Sequence, residues 1–292
     1  PTFTTTTTTY SVEENQTSIA IIAASDEDTS ETLTYSVSGG VDQALFQIDG
    51  ATGVLTFSAA PDFENPGSAV GGNDYFVEIT ATDNNGSPLA TASPLALTVT
   101  VTDVNDAPSI DNTAAISMTE NQTTVATITA TDADAGDSVQ FSISGGDSAL
   151  FTIDAATGVL AFASAPSFEN ALDADTGNDY VVDVTATDSA SATGTTTFTI
   201  TVTDINDAPQ VTLASTDLSA NENQTAVTSV TVSDDDTGDT LSFALANSDD
   251  GALFSLVATS TDPATGAATL TFITAPDFEG PSDLNGDNVY NV

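Results

Sequence analysis

The groups in this 292-residue chain that could do chemistry are carboxylates, and they recur in sets. Glu14, Glu120 and Glu222 each precede an Asn. An Asp-x-Asp pair follows each time: Asp26/Asp28, Asp132/Asp134 and Asp234/Asp236. A Phe-Glu comes later, in PDFEN at 61–65, PSFEN at 166–170 and PDFEG at 276–280. Ala-Thr-Asp closes the first two sets at Asp83 and Asp188. Against 43 Asp plus Glu there is no Lys, Arg or His, so the formal charge is −43 and no side chain can pair with these acids. Bringing unpaired carboxylates together, or burying them, costs several kcal/mol each. They must therefore be protonated, solvated apart, or held by cations from solution. Oxygen donors without nitrogen or sulfur suit a hard cation, and calcium as a structural component is the simplest reading.

The same composition excludes much else. Without Cys there is no disulfide, thiolate nucleophile or Cys-ligated zinc. Without His the commonest general base and transition-metal ligand are missing. Triads and His-assisted metal hydrolysis are excluded. Only a carboxylate pair of the glycosidase kind remains open to an enzyme, and the acids already have another use, so the chain reads as no enzyme. Its charge repels nucleic-acid phosphates and anionic lipid, which argues against nucleic-acid partners and membrane insertion. No run of about 18 apolar residues is present. The chain opens at Pro1 with no visible signal peptide, and is expected to be an excerpt of a longer polypeptide.

Hydrophobic residues make up 39% of the chain, enough for a core. Self-similarity organises them. TDVNDAPS at 102–109 returns as TDINDAPQ at 203–210, so Asp103 recurs as Asp204, 101 residues on. A hairpin follows each Asp-x-Asp: FQIDGATGVLTF at 46–57, FTIDAATGVLAF at 151–162, and a longer form from Phe254 to Phe272. Segments such as 124–130, 138–144, 180–186 and 197–203 alternate with period two and are rich in Thr and β-branched residues. They predict strands with one buried face. About seven per unit predicts an immunoglobulin-like sandwich of about 100 residues. The fold class expected is all-β, with tandem Greek-key sandwiches in an elongated rod. The expected domains are 1–106, 107–207 and 208–292, the third ending within its sixth strand, at Val289–Val292. Phe46, Phe57, Phe63, Phe151, Phe162 and Phe168, with Tyr35, Tyr75 and Tyr180, are expected in the cores.

These five motifs in this order resemble cadherin repeats, specifically the acidic tandem repeats of large bacterial surface proteins. The resemblance spans the whole chain and implies Ca²⁺ at each junction between repeats, three ions in a full site. At the first junction it implies ligands from Glu14, Asp62 and Glu64 of the upper repeat. It adds Asp103, Asn105 and Asp106 of the linker with the carbonyls of Val104 and Ala107, and Asp132, Asp134 and Asp188 of the lower repeat. At the second it implies Glu120, Glu169, Asp204, Asn206, Asp207, Asp234 and Asp236, with Ile205 and Ala208 in the linker. There the Asp expected two residues before Glu169 is Ser167, which leaves a weaker site. Asp26, Asp28 and Asp83 form a half-site at one end, and Glu222, Asp277 and Glu279 at the other.

Other features have plainer readings. Asp283-Leu-Asn285-Gly-Asp287-Asn288 has oxygen ligands at alternate places, somewhat like a calcium loop but without its glycine at the sixth place, and Asp173-Ala-Asp175 stands at the equivalent loop; an ordinary solvated turn is expected over an ion site. The Asn-x-Thr sequons at Asn15, Asn121 and Asn223 read as a repeated turn. Thr4–Thr9 reads as a first strand rather than a glycosylated stalk.

The resemblance implies a calcium-rigidified extracellular spacer or adhesion module of a giant surface adhesin or filament, secreted or at the cell surface. Its partners would be the adjacent repeats of the same polypeptide, with self-association or a cell-surface or polysaccharide ligand besides. The alternatives are a carbohydrate- or protein-binding cadherin-like module, disfavoured by the absence of Trp, and a strand-complemented filament subunit.

Overall fold

The computed structural model describes residues 1–27, 32–84, 91–174, 176–213, 215–246 and 248–292. In the first repeat the strands are β1 (Thr2–Phe3), β2 (Thr9–Glu13), β3 (Ser18–Ile21), β4 (Ala24–Ser25), β5 (Thr34–Gly39), β6 (Phe46–Ile48), β7 (Val54–Phe57), β8 (Asp74–Thr82) and β9 (Leu95–Thr102). One sheet runs β2-β9-β8-β5, with β2 parallel to β9; the other runs β3-β7-β6; β1 pairs with β4. The second repeat copies this with β10 (Ser109–Ile110), β11 (Ala115–Thr119), β12 (Thr124–Thr127), β13 (Ala130–Thr131), β14 (Gln140–Ser144), β15 (Phe151–Ile153), β16 (Val159–Phe162), β17 (Asp179–Thr187) and β18 (Thr193–Thr203). Its sheets are β11-β18-β17-β14, β12-β16-β15 and β10-β13. The third repeat has one sheet among the described residues, β19 (Gln210–Thr212), β20 (Ala226–Ser233), β22 (Gly266–Phe272) and β21 (Phe254–Ser260), in that spatial order.

Alternation explains the layering. Along β8 the residues Tyr75, Val77, Ile79 and Ala81 are all buried while their neighbours are not, and Tyr180, Val182, Val184 and Ala186 repeat this along β17. Successive strand side chains point to opposite faces, so such a row lines one core. In each repeat a hairpin ring meets a Tyr edge-to-face: Phe57 to Tyr75 at 5.2 Å, and Phe162 to Tyr180 and Phe272 to Tyr290 at 5.0 Å. The four hairpin Phe of the first two repeats are buried as expected; Phe63, Phe168 and Tyr35 are half-buried.

Several strand expectations are corrected. Residues 124–130 are not one strand: β12 ends at Thr127, Ile128 is buried with its N–H on Gly158 O, and the chain then changes partners to form β13. Thr4–Thr8 form no strand, because the N–H groups of Thr4 and Thr5 both turn onto Ala23 O, carrying the chain from β1 to β2. Among the described residues these breaks give nine strand segments in each of the first two repeats, in place of about seven. Val289–Val292 are also irregular. So are 241–246, the counterparts of β5 and β14, whose ladder partners would be the counterpart of β8 and β17. A strand without a neighbour has no ladder to hold it.

Two kinds of Asp and Asn position the acidic ends. Asn15, Asn121 and Asn223 sit in the left-handed region at φ of 61° to 62° and donate their N–H to the carbonyls of Pro61, Pro166 and Pro276. Asn tolerates that conformation better than most residues, so the repeated Glu-Asn encodes a turn that sets the Glu beside the Phe-Glu loop. Buried Asp42 accepts from the N–H groups of Ala69 (2.6 Å) and Phe76 (2.8 Å), clasping the loop ahead of β8. Asp147 and Asp250 hold the same loop in the other repeats.

Candidate metal centres

At the first junction Glu14 is almost wholly buried, and each carboxylate oxygen accepts a backbone N–H: Phe63 at 2.8 Å and Val104 at 3.0 Å. One bond ties it to the Phe-Glu loop, the other to the linker. Oxygens of Glu14, Glu64 and Asp103 lie within 4.8 Å of one another. The linker reaches the next repeat through two further bonds. Asp106 N–H donates to Asp134 Oδ2 at 2.7 Å, and Asn105 Nδ2 donates to Asp188 Oδ2 at 2.8 Å. Asp134 N–H returns to Asp132 Oδ1 at 3.1 Å, which fixes the Asp-x-Asp turn. Asp62 caps its own loop through Asn65 N–H at 2.8 Å.

The second junction repeats much of this. Glu120 is fully buried and accepts from Phe168 and Ile205 N–H, at 2.8 and 3.0 Å. Glu120, Glu169 and Asp204 converge within 4.8 Å. Asp207 N–H donates to Asp236 Oδ2 at 2.6 Å, Asp236 N–H to Asp234 Oδ1 at 3.2 Å, and Asn206 Nδ2 to Asp207 O at 2.8 Å. Ser167 caps the loop in place of an Asp, accepting Asn170 N–H at 3.1 Å. The turn survives the change while one carboxylate is lost. Gln210 Nε2 reaches Ala208 O at 3.5 Å, the counterpart of Ala107.

At the ends, Glu222, Asp277 and Glu279 also converge within 4.8 Å, but all three are exposed, and Glu222 accepts Phe278 N–H at 3.1 Å. Asp83 is buried and Asp26 half-buried, its Oδ2 on the Pro1 amino group at 2.5 Å. Asp28 and Asp175 lie outside the described residues.

Electrostatics report crowding. Asp103 is raised above its ordinary range by desolvation first, then by the charges of Asp134, Glu14 and Asp106. Desolvation, then Glu14, Asp134, Asp62 and Asp132, raises Asp106. Glu64 and Glu169 rise by desolvation and by the Glu14 and Glu120 carboxylates, and Asp204 by desolvation and then Asp236. Asp188 is lowered, chiefly by the Asn105 amide. Like charges held this close disfavour ionisation unless positive charge is added.

The donor set fits calcium. Asp132 Oδ2 is buried and has no hydrogen-bond partner, a costly state for a carboxylate oxygen. The chain has no cationic side chain to meet it. All donors are oxygen, and several are already oriented by backbone bonds.

One acid of the first junction is absent from the sequence expectations. Asp137 brings an oxygen within 4.8 Å of those of Asp132 and Asp188, and accepts Ser189 Oγ at 2.6 Å. Its signal was present: an acid stands five residues after the first Asp of each Asp-x-Asp pair, at Glu31, Asp137 and Asp239.

The Cadherin domain pattern matches residues 8–102 and 114–203, more than half of the chain. Mouse Protocadherin Fat 4 is 31% identical and its human counterpart 32% identical, each over 151 residues. Each match covers 49% of this chain and 3% of the relative's length. Among solved structures, mouse Cadherin-23 EC22-24 is 22% identical with a TM-score of 0.49, covering 94% of this chain and 88% of that one. Human Protocadherin-24 EC1-2 is 24% identical with a TM-score of 0.45, covering 70% and 98%.

The fold is that of tandem β-sandwich repeats, and the chain belongs to the cadherin family. Cadherin repeats are extracellular adhesion modules rather than enzymes, and cadherin domains bind calcium at the linkers between them. Among the described residues no helix is long and apolar enough to cross a membrane.

Proposed function

We propose that this chain is a run of calcium-rigidified extracellular spacer repeats, bounded 1–106, 107–207 and 208–292, from a giant surface adhesin of the bacterial kind. Glu14, Asp62, Glu64, Asp103, Asn105, Asp106, Asp132, Asp134 and Asp188 would hold the ions of the first junction, with Asp137 beside them. Glu120, Glu169, Asp204, Asn206, Asp207, Asp234 and Asp236 would hold those of the second. Bound calcium supplies the positive charge that lets these acids stay together. The protein's part is to orient the acids: backbone N–H groups hold Glu14, Glu120, Asp134 and Asp236. The result is mechanical. Each sandwich keeps its own core, and the loaded linker fixes the angle to the next.

One observation carries this reading. Glu14, Glu64 and Asp103, from three separate segments, hold their oxygens within 4.8 Å in a chain without a cationic side chain. Extracellular calcium modules bind at about 10⁻⁴–10⁻³ M, so such junctions would fill outside cells and not in cytosol.

Limited digestion with a broad-specificity protease tests it. With calcium, 103–108 and 204–209 should resist; in EDTA they should be cut first, as unsupported boundaries are. First cuts inside the hairpin at 46–57, with the linkers intact in EDTA, would contradict the proposal.

A further inference from the structure

The loop that follows each Phe-Glu motif is built three times with different side chains. In repeat one it carries Ser68, Val70 and Gly72; in repeat two Asp173 and Gly177 stand at the first and third of these places; in repeat three they are Asp283, Asn285 and Asp287. The anchors do not change. A Tyr hydroxyl takes the N–H of Gly67, Leu172 or Ser282, and an Asn amide takes the carbonyl of Phe63, Phe168 or Phe278. Repeat one makes this loop without any acid at those places, so the acids of repeat three are not needed to form the turn.

Their arrangement is directed. Asp283 is more than nine-tenths buried, although it lies in a loop. Its Oδ2 accepts Asp287 N–H at 2.8 Å, and the same N–H reaches Asn285 Oδ1 at 3.3 Å, so oxygens of Asp283 and Asn285 meet at one amide. Asn285 Nδ2 draws Asp287 Oδ2 to 2.9 Å. Asp283 Oδ1 is buried and has no hydrogen-bond partner. A buried carboxylate oxygen with no donor is costly, and the chain has no cationic side chain to supply one. Asp250 clamps the loop on either side, through Leu284 and Asn291 N–H at 2.8 and 2.9 Å.

We propose that Asp283, Asn285 and Asp287 form a calcium-class cation site on the flank of repeat three, separate from the junctions. It does not rest on the junction reading, since none of its residues belongs to the converging junction acids. Alternate-position oxygens of Asp, Asn and Asp, completed by backbone carbonyls and water, meet what a hard cation of six to eight ligands requires.

The test uses the full chain with Ca²⁺ and Tb³⁺ as the only probes. Native mass spectrometry at saturating calcium should show one ion fewer in Asp283→Asn and in Asp287→Asn than in the unsubstituted chain. Tyr290, whose hydroxyl meets Ser282 N–H beside Asp283, should sensitise Tb³⁺ emission from this site. Tyr290→Phe should keep the ion count and lose that component. Glu120→Gln should alter a junction ion and leave the Tyr290-sensitised component intact, which separates the two readings. A full ion count in both Asn variants would overturn the site. Where Asp283→Asn disturbs the β21–β22 sheet, exposed Asp287→Asn decides, and a full count there overturns it equally.

Discussion

The side-chain amide of Asn105 donates to Asp188 Oδ2 at 2.8 Å, joining two residues 83 apart in sequence. Asn105 is in the linker and Asp188 directly follows β17, so this bond fastens the linker to the repeat below it. The same amide also reaches Asp106 O at 2.8 Å, which braces the linker upon itself. Asn105→Ala removes both bonds. Hydrogen exchange of the 103–107 amides in EDTA should quicken several-fold, while the β17 and β18 amides keep their protection. Equal loss of protection in β17 would mean that the sandwich, rather than the linker, depends on Asn105.

One difference between the junctions falls at equivalent places, Asp62 against Ser167, both of which cap the same turn. Exchanging them should therefore move ion affinity with little effect on fold. Ser167→Asp should tighten calcium at the second junction, and Asp62→Ser should weaken it at the first. Calorimetric titration that finds neither change would remove the carboxylate count as the cause of the difference.

Glu120 satisfies two N–H groups in a fully buried place, whereas Glu222 is exposed. Losing a buried acceptor costs roughly 1–3 kcal/mol for each group left unsatisfied. Glu120→Ala should thus lower the thermal midpoint of the second repeat by several degrees even in EDTA, and Glu222→Ala should do far less to the third. Equal shifts would show that burial of the Glu adds nothing.

Much of this was legible from residue types, and the exceptions have physical causes. Period-two rows such as Tyr75, Val77 and Ile79 mark a buried face directly. The pattern cannot mark where a strand leaves one sheet for another, so 124–130 read as a single strand although the chain turns at Ile128. Asp42, Asp147 and Asp250 look like ordinary turn acids; their long-range bonds to the loop ahead of the Tyr strand have no local signature. Asp137 was visible as a recurring acid, but its convergence with Asp188 depends on β17 ending opposite it. Ser167 could be seen as a lost carboxylate, while its preserved capping role rests on the loop folding Asn170 N–H back onto its hydroxyl.

The hairpin turns supply a pH test away from the junctions. Asp49 Oδ1 accepts Thr52 Oγ1 at 2.8 Å and the N–H groups of Ala51 and Thr52, and these bonds, led by the Thr52 hydroxyl, lower its pKa. Asp154 is lowered too, by the Thr157 N–H first, then the Thr157 hydroxyl and the Ala156 N–H. A depressed acid gives its stability above the unfolded value, about 3.9 for Asp, and loses it as pH falls through the folded value. Thr52→Val should raise the Asp49 carboxyl toward the ordinary range and leave Asp154 where it is, read by carbon-detected NMR titration. An unmoved Asp49 would assign its shift to the backbone bonds alone.

Small-angle X-ray scattering of the 292-residue chain, with calcium and then with excess EDTA, bears most directly on the calcium junctions. With calcium the profile should fit one extended, fixed arrangement of the repeats. In EDTA the repulsion among Glu14, Glu64, Asp103, Asp106 and Asp134 should release the linkers, so the profile should require an ensemble of angles. The β-type circular dichroism of the first two repeats should be largely retained. Superimposable scattering curves in the two conditions would contradict the account, since junctions that stay rigid without calcium do not need it.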